Sequence, residues 1–169
     1  MDIPVPEPDF NDPKELWAFF GLAFYSAQVL EGGLINLLVA VRHNGGHISF
    51  REIESLFSKW DRKTFGQVFE EIKKHISLSN DLEIELKKSL NIRNNLAHHF
   101  FVQHNVDLLS KTGRRKMILE LVDTIEFLKK TDSKLDEVWQ KEWERLGITK
   151  EMREIAIQEM YREAEGPNH

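Results

Sequence analysis

Residues 16–41 read LWAFFGLAFYSAQVLEGGLINLLVAV, and Glu31 is the only charged side chain among them. A helix apolar on nearly every side has to be buried on nearly every side. Length and apolarity alone would also let the segment cross a membrane. Ser26, Gln28, Glu31 and Asn36 lie in its middle, where lipid tolerates polar groups least, and Gly32 and Gly33 weaken it as an isolated helix. Without this segment the amphipathic helices elsewhere in the chain would lack a packing partner. It therefore reads as the centre of a helical bundle, or as a helix covered on one side by a second subunit, with no membrane partner expected.

The flanking residues fit that reading. Four of the five prolines fall within residues 1–13, and residues 1–11 read as an extended arm. Asp12-Pro13-Lys14-Glu15 has the composition of a helix start, with Asp as cap, Pro in the first turn and Glu behind it. Asn44-Gly45-Gly46 supplies residues that tolerate a left-handed end near Arg42. Ser49-Phe50-Arg51-Glu52 is a capping box opening a short helix with Ile53, Leu56 and Phe57 on one face. Asp61 or Thr64 starts another, carrying Phe65, Val68, Phe69, Ile72 and Ile76 at helical spacing. After the polar break Ser77–Asp81, Leu82, Leu86 and Leu90 mark a further helix, which either continues through Phe101 or bends near Asn94-Asn95.

Thr112 is read as the cap of a long helix bearing Ile118, Leu121, Val122, Ile125 and Leu128. Polarity rises at Lys130-Thr131-Asp132-Ser133, where a break is expected. Leu135, Trp139, Trp143 and Leu146 then resume an apolar face, and Thr149 caps a terminal helix through Met160. No alternating strand pattern occurs. The expectation is an all-α fold: an up-and-down four-helix bundle core over residues 12–130, with a helical extension over 131–169 packed on the bundle or on a dimer.

Composition narrows the chemistry. The chain has 169 residues, 41% hydrophobic and 30% charged, enough for one globular domain with a full core. Cys is absent, which removes thiol chemistry, disulfides and Cys-ligated metals. A formal net charge of -5 argues against broad coating of nucleic acid but leaves room for a local anion site. The acidic, Pro-rich N-terminus is unlike a signal peptide, so a cytoplasmic protein is expected. No phosphate loop, dinucleotide fingerprint, nucleophile elbow or zinc-protease motif is present, and neither a cofactor nor a metal site is expected.

The residues that carry chemistry are Arg93-Asn94-Asn95-Leu96-Ala97-His98, followed by His99. Arg can grip a phosphate with two parallel hydrogen bonds, and His can move a proton near neutral pH. Around a straight helix Arg93 and His98 stand about 140° apart, whereas Asn94 and His98 share a face one turn apart. One straight helix therefore does not aim both at one phosphate. A bend, or a second copy meeting the first across a two-fold axis, is needed. The opposing reading has equal standing in the residues: Asn94-Asn95 as a local bend, Arg93 as an exposed cation and His98 as a semi-buried structural histidine.

Arg93, Asn94 and His98 match the defining motif of the HEPN domain family, an Arg, a polar residue, several more residues and a His. The stretch AQVLEGGLINLL also resembles that family's first helix, and the resemblance spans about residues 14–130. It implies a helical bundle, and for many members a metal-independent endoribonuclease of the toxin–antitoxin or phage-defence type, working as a homodimer with the motifs of both subunits in one composite site. On this resemblance Arg93 would hold the scissile phosphate and His98 would act as general acid or base. The RNA 2′-hydroxyl would attack, leaving a 2′,3′-cyclic phosphate. RNA would be the substrate and an antitoxin protein a further partner.

Other members are catalytically silent modules that bind a protein or a nucleotide, and that alternative stays open. So does the choice of histidine, because the family's variable spacing also fits His99. Members with Tyr two residues after the His can be silenced by modification there, and Phe100 at this position puts that control in doubt. Supporting candidates are Glu31, which a buried site would pair with Arg93 or His98, and the basic run Lys111, Arg114, Arg115 and Lys116 as an RNA-backbone contact. His43, His47, His75 and His104 are read as weak ligands or surface residues.

Overall fold

A computed structural model describes residues 4–43, 50–60 and 62–166. The fold is all-α, with no strand among the described residues. Its helices are α1 (Glu15–Arg42), α2 (Phe50–Trp60), α3 (Phe65–Ile72), α4 (Asn80–His98), α5 (Phe100–Gln103), α6 (Lys111–Arg145) and α7 (Lys150–Glu165), with a 3-10 turn at Asp107–Leu109 between α5 and α6.

The apolar segment forms α1 and lies at the centre. Leu16, Leu30, Leu34, Leu37 and Leu38 are essentially inaccessible to solvent. By length and composition α1 could cross a membrane, but 61% of its most apolar stretch is buried inside the protein. Its long partner is α6. Leu16 shares a cluster with Met117 and Ile118, and Gly33 meets Leu135 further along, so the two helices run parallel. The third long helix, α4, runs antiparallel to both. Leu82 and Leu86 join the cluster that holds Leu128 and Leu135, whereas Leu96 joins the one that holds Met117. Lys134 fastens α6 to the start of α4 through Glu85 at 2.6 Å.

The short helices close one end of this frame. Arg42 at the end of α1 bonds Glu71 of α3 at 3.2 Å and lies over the Trp60 ring of α2. The opposite end is covered by the N-terminal arm, whose Val5 and Phe10 pack on the Leu16–Met117 cluster.

Several helix starts follow their local chemistry. Thr64 forms a full capping box with Gln67, and Ser79 and Thr149 accept from the N–H groups of Leu82 and Met152. Asp12 accepts from the Lys14 N–H, and α1 begins at Glu15. The expected end at Asn44-Gly45-Gly46, the cap at Ser49, the alternative start at Asp61 and the ligand candidate His47 lie outside the described residues.

Three expectations need correction. The cap of α6 is Ser110, whose Oγ accepts from the Gly113 N–H at 2.9 Å, and not Thr112. No break occurs at residues 130–133, so the boundary drawn at 130 falls inside one continuous helix. There the Thr131 hydroxyl is buried and satisfied by the Phe127 carbonyl at 3.0 Å, and Leu135 beyond it is core. α4 neither bends at Asn94-Asn95 nor runs on to Phe101. It continues to His98 and breaks at His99, whose backbone has φ -130° and ψ -24°. After α6 the chain turns at Gly147, where φ is +84°, a conformation that favours glycine. Helix α7 then leaves Met152, Ile155, Ile157, Met160 and Tyr161 exposed.

Candidate functional site

The last turn of α4 carries the motif. Leu96 turns inward and is buried, which sends its neighbours outward: Asn94, Ala97, His98 and His99 are exposed and Arg93 is half-buried. Arg93 Nη1 donates to Asn94 Oδ1 at 3.4 Å, a long bond between adjacent side chains. It is the one hydrogen bond of the Arg93 side chain among the described residues. Asn94 shares a face with His98 one turn away, but it is engaged with Arg93, and no hydrogen bond joins it to His98. The His98 and His99 rings stand edge to face, centroids 6.0 Å apart. Neither ring has a hydrogen-bond or ion-pair partner among the described residues.

The break at His99 lets the chain turn its aromatic residues inward. The His99 N–H still bonds the Asn95 carbonyl at 2.8 Å, closing the last turn of α4. Phe100 is then buried, and Phe101 packs between Phe20 at 4.7 Å and Trp17 at 5.0 Å between ring centroids. Trp17 remains 54% exposed, so an aromatic surface from α1 and α5 lies close behind the histidines.

Glu31 stands apart from this group only in that no bond joins them. Glu31 is half-buried and makes no hydrogen bond or ion pair with Arg93 or His98.

The basic run at the start of α6 lies at the same end of the bundle as His98, because Leu96 and Phe100 share a cluster with Met117 and Ile118. Three of its four cations are engaged locally. Arg114 Nη1 donates to the Leu108 carbonyl at 2.9 Å and Lys116 reaches Asp107 at 3.0 Å. Arg115 lies over the Phe10 ring, 4.4 Å from its centroid. Lys111 is exposed and, with Arg114, Phe10, Asn11 and Asp12, lines a cavity of about 130 Å³. Cations at a helix start oppose the helix dipole, and these local partners offset that cost for Arg114 and Lys116.

The structure adds a residue that the sequence reading placed at the surface. His104 is buried, with a carboxylate at each ring nitrogen: Asp107 at 2.9 Å and Glu120 at 3.1 Å. Its spacing held a signal. His104 follows Phe100 by one helical turn, so burial of one draws in the other. His75 is exposed beside Glu71, as expected for a surface residue. Among the described residues no group of His, Asp and Glu has the arrangement of a metal site.

Compared with protein-family models, with curated proteins and with solved structures, the chain gives no match.

Proposed function

We propose that this chain is a HEPN-like, metal-independent endoribonuclease whose site is completed by a second copy of itself. The observation that carries the reading is the unbroken helix through Arg93–His98. It keeps the Arg93 and His98 positions about 140° apart around one axis. It also leaves the histidines exposed and unpartnered, open to a facing surface. In a two-fold pair, Arg93 of one copy and His98 of the other come to one phosphate. Arg93 neutralises the charge that builds on the phosphorane, and His98 relays the proton of the attacking 2′-hydroxyl or of the leaving 5′-oxygen. The exposed aromatic surface at Trp17 and Phe101 supplies apolar area beside the site for such a pairing. Lys111, exposed beside the Phe10–Asp12 arm, is the natural contact for an RNA backbone. An antitoxin that covers the histidines would block the site.

One observation favours the second reading, a silent module that binds a protein or nucleotide: no side chain among the described residues bonds either histidine. Incubation of the purified protein with RNA in EDTA separates the two. The enzyme leaves 2′,3′-cyclic phosphate ends and loses activity in Arg93→Ala and His98→Ala; the module binds without cutting.

A further inference from the structure

Among the described residues, one long face of α1 is left open. The core side of the helix meets α3, α4 and α6. On the other side Trp17 is 54%, Tyr25 62% and Val29 39% exposed, and Gly21 and Gln28 are exposed with them. At about 100° per residue, Trp17, Gly21, Tyr25, Gln28 and Gly32 fall within one strip about 80° wide and about 22 Å long. The strip holds no charge; Glu15 and Glu31 stand outside it. A β-carbon at Gly21 meets nothing within 4 Å. Glycine weakens a helix interior, and no contact inside this protein calls for it there. An uncharged aromatic surface of this length on an otherwise charged protein marks an interaction face.

We propose that a second copy docks on this face, with the two α1 helices antiparallel and crossing at Gly21. A two-fold axis at Gly21 makes the face its own complement. It sets Trp17 opposite the partner's Tyr25 and Phe24 opposite the partner's Ala18, aromatic against aromatic and large against small. The paired glycines let the two backbones approach. Lys14 falls opposite the partner's Gln28, and no charge faces a like charge. Two half-exposed aromatics, with Val29, Gln28 and the edges of Phe20 and Phe24, give on the order of 1,000 Å² for the pair, the lower edge of a specific interface. A lipid surface suits the face less well, because Glu15 and Glu31 border it and the chain carries a net charge of -5. The face adjoins the motif: Phe101, two residues past His99, packs on Trp17 with ring centroids 5.0 Å apart and on Phe20 at 4.7 Å. The pairing therefore puts both motifs at the border of one interface. It rests on the face alone; its consequence for cleavage rests on the ribonuclease reading.

The chain has no cysteine, so disulfide trapping reads the register directly. Trp17→Cys and Tyr25→Cys proteins, mixed in equal amounts and oxidised, should give a cross-linked dimer, because the facing pair lies within disulfide reach. Each variant alone should give at least about tenfold less, since like positions stand about 12 Å apart along the helices. The mixed dimer keeps one Trp17–Tyr25 pair, so the comparison does not depend on losing the interface. Gly21→Leu gives a second measure. Its side chain enters open space in a single copy, so the fold should stand, while light scattering at micromolar concentration should show association weakened at least about tenfold. Cross-linking of either variant with itself as readily as in the mixture, or a Gly21→Leu protein as dimeric as wild type, overturns the pairing. So does a wild type that stays monomeric at about 100 µM; if that monomer floats with phosphatidylcholine vesicles, the face belongs to a membrane. A trapped dimer of the expected register, in a protein that cuts no RNA, leaves the pairing standing and removes the ribonuclease reading.

Discussion

Asp132 on α6 faces Gly33 on α1 so closely that a β-carbon at Gly33 would stand 3.3 Å from Asp132 Oδ1, and 3.1 Å from Leu135 Cδ2. That oxygen is buried without a hydrogen-bond partner. The central helix pair is thus joined at a glycine, with one unsatisfied carboxylate oxygen buried in the contact.

The two adjacent glycines should respond differently to the same substitution. A β-carbon at Gly32 meets nothing within 4 Å. Gly32→Ala should therefore stabilise by roughly 0.5–1 kcal/mol through helix propensity alone. Gly33→Ala should lose that gain, because Leu135 and Asp132 have to move inside a packed interface. Urea denaturation of the two variants measures the difference; equal stabilities would show that the interface has slack.

Burial, reinforced by the charge of Asp136 one turn on, pushes the Asp132 carboxyl up to about 6. A raised carboxylate favours the folded state only while it is protonated. Stability should fall as pH rises from about 4 to about 6, with the full penalty present above that range. Partial exposure to solvent reduces the penalty to about 1–2 kcal/mol. Asp132→Asn should therefore stabilise the protein at pH about 8 by that amount and change little at pH about 4. Denaturation at the two pH values checks the sign.

A third prediction concerns the turn before α6. Gly113 packs against the Asp107 backbone so tightly that a β-carbon there would overlap it. Gly113→Ala should cost about 1–3 kcal/mol and displace the Asp107–Leu109 turn. Ser110→Ala removes only the cap and should cost about 1 kcal/mol. Thermal unfolding ranks the two.

These residues also show what the sequence could and could not disclose. Thr64, Ser79 and Thr149 act on donors within their own first turn, so their capping roles are local and legible. The continuity of α6 through residues 130–133 is not local. Thr131 and Asp132 look like a break because their polarity is visible, whereas the α1 surface that buries them is not. The break at His99 and the burial of His104 depend in the same way on Phe20, Asp107 and Glu120. The motif itself was plain in the sequence. Its geometry, with Asn94 turned to Arg93 and no bond from Glu31, required the helix axis and its neighbours.

If the site is shared between copies, oligomeric state and activity should fall together. Trp17→Glu puts a charge on the exposed aromatic surface without touching Arg93 or His98 and should convert a dimer into a monomer with at least about tenfold less cleavage, since each half-site would lose its complement. Light scattering at micromolar concentration reads the mass. A wild-type monomer that cleaves would remove the shared site.

The decisive measurement is incubation of the purified protein with RNA in EDTA, followed by analysis of the new ends. Metal-free cleavage to 2′,3′-cyclic phosphate, abolished by Arg93→Ala and by His98→Ala in proteins that remain folded, is the predicted result. Cleavage that persists in both variants, or a folded wild type that binds RNA and leaves every strand intact, would contradict it.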